Sequence, residues 1–341
     1  MSFGLWVGLA LCALVGLPVV LARQGRGRSW AAALAVPLTV TGALLLINDQ
    51  YGMWPAVGDL LGHTGRLGGT VLRLPAPAAP DTGVLVALDP PATRSHFSHR
   101  PGSAYLPPAY FSRDRATLPV VMMLAGVPGT PEQWVTSGRA VATADAYAAA
   151  NDGRAPILIF VDDNGSATGD TECVDGPQGD AETYLADDVP AYVDRILRLD
   201  PSPARWAIVG FSEGGTCAAD LALAHPGTFG RFVDLAGDTG PTLGNNGHTL
   251  YRLFGGSVAA WHAHQPLRML RTHRYPGMDA WFAAGVRDHR RIVDAEQMAA
   301  AAARSGCRVH ELTGTSGHNW QFAAATFAVI LPALSADMGL S

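Results

Sequence analysis

The segment Ile208-Val209-Gly210-Phe211-Ser212-Glu213-Gly214-Gly215 constrains the fold of this chain more than any other stretch. Residues 206–209 are apolar and predict a buried strand. Residues 216–225, rich in alanine and leucine, predict a helix that follows without a gap. A Gly-x-Ser-x-Gly junction between strand and helix turns too sharply for side chains at its flanks, so glycines are needed there, and the serine hydroxyl is left projecting clear of the sheet.

The chain around it repeats the same strand and helix logic. Residues 84–88, 104–106, 119–124 and 157–161 are short apolar runs, and helical stretches follow the later ones. Such alternation predicts a mostly parallel sheet covered on both faces, with ligands at the carboxyl ends of the strands. The globular domain is expected over residues 83–341, and no internal repeat is visible.

A serine displayed in this way needs a base and an acid downstream, in the order Ser, Asp, His. His318 is the candidate base, on the Gly-rich loop 314–319 after the predicted strand 308–312. The candidate acid is Asp288, which ends a strand-like run from Trp281, with Asp294 and Glu296 as alternatives. His318 would take the Ser212 proton as the hydroxyl attacks an ester carbonyl, and Asp288 would fix the imidazole tautomer. The developing oxyanion needs N–H donors. Those expected are the amide of Glu213, next to the serine, and that of Val127, in the loop after strand 118–124, where Pro128 has no N–H to offer.

Other polar clusters carry plainer readings. His262 and His264 form a His-x-His pair without further ligands at metal spacing. The loop 162–179 contains Asp162, Asp163, Asp170, Glu172 and Asp175, which is ordinary turn chemistry as well as an acidic surface. Neither a metal nor a cofactor is expected. Trp134, Trp281 and Trp320 are candidates for an acyl pocket or for core and rim packing.

Residues 3–22 and 30–47 are uncharged apolar runs, each close to the ~20 residues that cross a ~30 Å hydrocarbon core. Residues 1–47 are therefore expected to form a two-helix membrane anchor, and residues 48–82 a juxtamembrane segment and linker. Arg23, Arg26 and Arg28 lie between the runs and no acid precedes Asp49, so the connector is placed in the cytoplasm and the catalytic domain outside. A cleaved signal peptide would carry its charge ahead of the apolar run, which Met1-Ser2-Phe3 does not.

The chain contains no lysine. Its 24 basic residues are arginines, and setting aside the three in the connector leaves 21 against 29 acids outside. This excludes a nucleic-acid footprint. Of four cysteines, Cys12 falls in the first apolar run, and Cys173 could bridge to Cys217 if the acidic loop folds over the helix behind Ser212; Cys307 remains an alternative partner.

Ala125-Gly126-Val127, Gly210-Phe211-Ser212-Glu213-Gly214, the downstream acid and Gly317-His318-Asn319-Trp320 together resemble the esterase D branch of the α/β-hydrolases, which includes the secreted mycolyltransferases. The two-helix anchor, Pro128-Gly129-Thr130-Pro131-Glu132-Gln133-Trp134 and the loop 170–176 resemble membrane-anchored actinobacterial esterases, some of them linked to hydrolysis of aminoacylated phosphatidylglycerol. The resemblance implies an α/β-hydrolase fold, triad roles for Ser212, Asp288 and His318, and oxyanion duty for Val127 and Glu213. The expected partners are the bilayer and a lipid or cell-envelope ester, with Asp163, Glu172 and Asp175 available to a substrate ammonium group. An acyltransferase using the same acyl-serine, and a binding module on a hydrolase fold without chemistry, are the two alternatives.

Overall fold

In the computed structural model the described residues are 80–112, 118–199 and 202–340, with a few isolated positions before residue 53. The first expected membrane span, the arginine connector, and nearly all of the second span and of the expected linker lie outside these residues. The described residues from 80 onward belong to one compact unit.

Ten strands are present among the described residues: β1 (Val84–Leu88), β2 (Gly102–Leu106), β3 (Val120–Leu124), β4 (Ile157–Phe160), the two-residue β5 (Asp175–Gly176) and β6 (Gly179–Asp180), β7 (Trp206–Phe211), β8 (Arg231–Leu235), β9 (Asp279–Gly285) and β10 (Arg308–Gly314). The principal helices are α1 (Gln133–Thr136), α2 (Ala140–Ala149), α3 (Val189–Leu197), α4 (Glu213–Ala224), α5 (Asn246–Phe254), α6 (Val258–Ala263), α7 (Pro266–Thr272), α8 (His289–Ser305) and α9 (Trp320–Asp337). Eight strands form one sheet in the order β1-β2-β4-β3-β7-β8-β9-β10. β2 runs antiparallel to both β1 and β4, and every pairing from β4 to β10 is parallel.

Burial follows the topology. β3, β4, β7 and β9 are buried at every residue because helices cover both faces, which explains why β3, β4 and β7, and β9 after Asp279, are continuous apolar runs and do not alternate. β10, at the edge, is exposed or half-buried throughout. After β3 the chain crosses to β4 on one side, and it later returns to β7 on the other side of β3. The strand order reverses there, and the crevice of an open parallel sheet lies at such a point. Pairing of Leu124 with Gly210 brings the carboxyl ends of β3 and β7 side by side.

Two glycines permit the tight join of β7 to α4. A Cβ on Gly210 would overlap the carbonyl oxygen of Gly214, and one on Gly214 would overlap that of Ala125. α4 therefore packs directly on the sheet and is buried from Glu213 to Leu223. α9 is, among the described residues, the one helix long and apolar enough to cross a membrane. Here it packs inward, burying Phe322, Phe327, Ile330, Leu331 and Leu334.

Candidate active site

Ser212 sits at the end of β7 with φ 60° and ψ −121°, a left-handed conformation that a residue with a Cβ rarely adopts. Its amide donates to Leu235 O at 2.8 Å and its carbonyl accepts from Gly215 N and Thr216 N, so neighbours on both sides hold the strained turn. The hydroxyl is left to face His318: Nε2 lies 2.8 Å from Ser212 Oγ. On the other side of the ring, Nδ1 lies 2.6 Å from Asp288 Oδ2.

Each partner is held by its own loop. Asp288 occupies the N-cap position of α8, yet its side chain makes no capping hydrogen bond and turns to the imidazole instead. His318 lies between β10 and α9. Asn319 caps α9 by accepting from Phe322 N at 2.9 Å, and Arg287 N donates to Ser316 O at 3.2 Å, tying the histidine loop to the turn that carries Asp288. The Phe211 ring packs 5.1 Å from the imidazole and 5.1 Å from the Trp320 ring. The alternative acid Asp294 pairs with Arg291 at 3.2 Å.

Glu213 is the first residue of α4, and the amides of a first helical turn have no acceptor within the helix. The loop after β3 lies against the serine: a Cβ on Gly126 would fall 2.8 Å from Phe211 O and 3.6 Å from Ser212 Oγ. Val127 follows it, half-buried. Arg100 secures this loop. Its Nη1 donates to Gly129 O at 3.0 Å while Nε and the backbone amide donate to Asp162 Oδ2 at 3.0 and 2.7 Å. The contact joins residues 62 positions apart in sequence, and nothing local in the sequence marks Arg100 for it.

The acidic loop folds against α4, and Cys173 and Cys217 form a disulfide. Asp163 and Glu172 are buried here. Asp175 is a correction to the sequence expectation. Its Oδ1 accepts from Thr183 N at 2.9 Å and its Oδ2 from Thr183 Oγ1 at 2.6 Å, so both oxygens already serve the turn after β6. The tryptophans are a second correction. Trp134 is wholly buried, donates its indole N–H to Leu124 O at 2.7 Å and meets Trp320 edge-on at 5.2 Å. Trp134 thus braces the end of β3, Trp320 packs between it and Phe211, and Trp281 stacks on His310 at 4.0 Å. Of the His-x-His pair, His262 is exposed, and His264 joins an ion network with Glu182 and Asp220.

Residues 97–334 match the Esterase family, described as "Putative esterase". The chain belongs to this family. It is also 33% identical over 330 residues to the "Uncharacterized protein Cgl0967/cg1104" of Corynebacterium glutamicum, covering 92% of this chain and 76% of that one. Among solved structures it is similar to a ferulic acid esterase, with TM-score 0.63 and 15% identity over 75% of this chain and 98% of the other. An S-formylglutathione hydrolase from Agrobacterium tumefaciens gives TM-score 0.63 and 18% identity, covering 76% and 97%. At these identities the likeness is one of fold, and the fold is that of the α/β-hydrolases, with a mostly parallel central sheet.

Proposed function

We propose that this esterase-family protein is a serine hydrolase that cleaves an acyl or aminoacyl ester through an acyl-Ser212 intermediate. The observation that carries the reading is the unbroken line from Asp288 Oδ2 through His318 to Ser212 Oγ, with contacts of 2.6 and 2.8 Å. His318 Nε2 accepts the hydroxyl proton as Oγ attacks the carbonyl, and Asp288 stabilises the resulting imidazolium. The amides of Glu213 and Val127 receive the oxyanion. Collapse of the tetrahedral intermediate returns the proton from His318 to the leaving alcohol. Water activated by the same histidine then releases the acid.

The two apolar runs before residue 48, with arginines between them, support a two-pass anchor and a catalytic domain on the outer face of the cell membrane. A bilayer-bound esterase meets lipid esters first, and aminoacyl-phosphatidylglycerol is the most specific candidate substrate. The test compares membrane lipids from cells carrying the wild-type protein and Ser212→Ala. The proposal expects an ester lipid that accumulates only with the variant, and identical lipid profiles reject it. Purified protein that forms new esters and no free acid would make the acceptor an alcohol and the enzyme an acyltransferase.

A further inference from the structure

β4 runs parallel to β3 and ends at Phe160, so Asp162, Asp163 and Asn164 emerge at the same end of the sheet as the loop that carries Val127. All three are buried. Asp162 is fully enclosed, and a carboxylate in that position needs both a counter-charge and hydrogen-bond donors. Arg100 provides them. Its Nη2 donates to Asp162 Oδ1, while its Nε and backbone amide donate to Oδ2 at 3.0 and 2.7 Å. Burial works against the guanidinium charge, but the hydrogen bond and charge of Asp162, with Asp163 and Glu132 beyond, outweigh it and raise the Arg100 pKa. The guanidinium stays charged, and its planar fork stays fixed on the carboxylate.

One nitrogen of the fork is left for the loop after β3. Arg100 Nη1 donates to Gly129 O at 3.0 Å, two residues beyond Val127. The Gly129 amide donates to Ala167 O at 3.0 Å, and Ala167 belongs to the same acidic loop as Asp162. The turn between is tight, since a Cβ on Gly129 would lie 2.0 Å from Gly126 O. A shift of Gly129 is therefore passed on to Val127.

Asn164 reaches the other expected oxyanion donor. Its amide donates to Asp162 Oδ1 at 3.2 Å, and its Nδ2 donates to Glu213 Oε2 at 3.2 Å. Thr171 N fixes the Asn164 side chain by donating to its Oδ1 at 2.8 Å. Gly129, Arg100, Asp162, Asn164 and Glu213 thus form one hydrogen-bonded line, which runs from the loop of the Val127 amide to the residue that carries the second amide. Stability alone does not account for it. Desolvation cancels much of the attraction in a buried ion pair, and packed apolar side chains would stabilise the fold as well. Directed bonds add a fixed geometry.

We infer that Arg100, Asp162 and Asn164 are positioning residues that set the spacing between the Val127 and Glu213 amides, and with it the strength with which the site holds an oxyanion. The inference rests on the serine esterase reading and adds to it the residues that pre-organise the hole. Oxyanion donors act only when held where the negative oxygen forms, and a misplacement of about 1 Å costs roughly 100-fold. An ester in its ground state, with a neutral carbonyl, feels the same shift far less.

The experiment compares wild type with Arg100→Lys, Asp162→Asn and Asn164→Ala. It measures kcat/KM on p-nitrophenyl butyrate and the Ki values of two ketones, an alkyl trifluoromethyl ketone and the matching methyl ketone. Ser212 Oγ adds to the carbonyl carbon of the fluorinated ketone as His318 Nε2 takes the serine proton, and the carbonyl oxygen becomes the anion of a hemiketal. The methyl ketone stays a ketone and reads ground-state binding. We expect Ki for the trifluoromethyl ketone to rise about 10- to 100-fold, kcat/KM to fall by the same factor, and Ki for the methyl ketone to stay within about threefold. Arg100→Lys keeps the charge but loses the fork, so it should not retain wild-type values. Both Ki values belong to folded molecules, so partial unfolding of a variant moves neither.

Arg100→Lys combined with Asn164→Ala should cost little more than the larger single loss, because both cut one line. An unchanged trifluoromethyl ketone Ki in all the single variants overturns the inference. Equal weakening of both ketones, or fully additive losses in the double variant, overturns it as well. Ser212→Ala separates the two claims: ester turnover that survives in this variant defeats the esterase reading, whereas serine-dependent turnover with unchanged Ki values defeats only the bridge.

Discussion

Cys173 and Cys217, 44 residues apart in sequence, are joined by a disulfide that pins the acidic loop to the helix beginning one residue after the nucleophile. The bond closes a chain segment that includes β7 and the elbow itself. Restricting such a loop in the unfolded chain stabilises the folded state by about 2–4 kcal/mol. The paired substitution Cys173→Ser, Cys217→Ser should therefore lower the unfolding free energy by that amount in urea titrations. A loss indistinguishable from zero contradicts this account of the loop.

Ser212 and His318 act on one proton, so their contributions should not add. Ser212→Ala and His318→Ala are each expected to lower kcat by about 1000-fold or more, and the double variant by little beyond either single one. Asp288→Asn leaves the geometry nearly intact but supports the wrong tautomer, and should cost about 100- to 10,000-fold in kcat. Steady-state kinetics on a soluble p-nitrophenyl ester read all four. Additive losses in the double variant would mean that the pair does not work as a unit.

Gly126 lies against the elbow with no room for a methyl group, since a Cβ would sit 2.8 Å from Phe211 O and 3.0 Å from Ser212 Cβ. Gly126→Ala should push the loop away and carry the Val127 amide out of place. The expected loss is about 100-fold in kcat, the scale of one oxyanion donor, with KM changing far less. Equal kcat in variant and wild type would remove Val127 from the oxyanion role.

The sequence made the elbow, the strand alternation and the order Ser212, Asp288, His318 legible because each is written in local pattern or chain order. Arg100 was not legible. Its link from Asp162 to Gly129 depends on β4 lying beside β3, a pairing that no local pattern specifies. The sequence left Trp134 open between pocket wall and core packing for a similar reason, because an aromatic side chain packs as readily against substrate as against a helix. Asp175 and Asp163 look alike in the same loop. Only the folded turn shows that Thr183 satisfies the first while an oxygen of the second is left without a donor.

His264 joins the segment between β8 and β9 to the core through Asp220 at 2.9 Å and Glu182 at 3.4 Å, and His225 meets Glu182 at 2.7 Å. Burial opposes the charged form of His264, but the hydrogen bond and charge of Asp220, with Glu182 and Asp175 beyond, outweigh it and push the imidazole up to about 9. A base whose pKa rises on folding stabilises the fold fully below its unfolded value near 6.5, and loses that contribution as pH climbs through about 9. His264→Gln should therefore destabilise more at about pH 6 than at about pH 10, by about 2–3 kcal/mol. Urea titrations at the two pH values check this, and an equal cost at both contradicts it.

The central claim is that Ser212 is the nucleophile, and covalent capture tests it most directly. A fluorophosphonate should bond its phosphorus to Ser212 Oγ with loss of fluoride, and intact-mass and peptide analysis should find one adduct per wild-type chain at that residue and none in Ser212→Ala. Folded wild-type protein that stays unlabelled, or equal labelling of the alanine variant, would contradict the account.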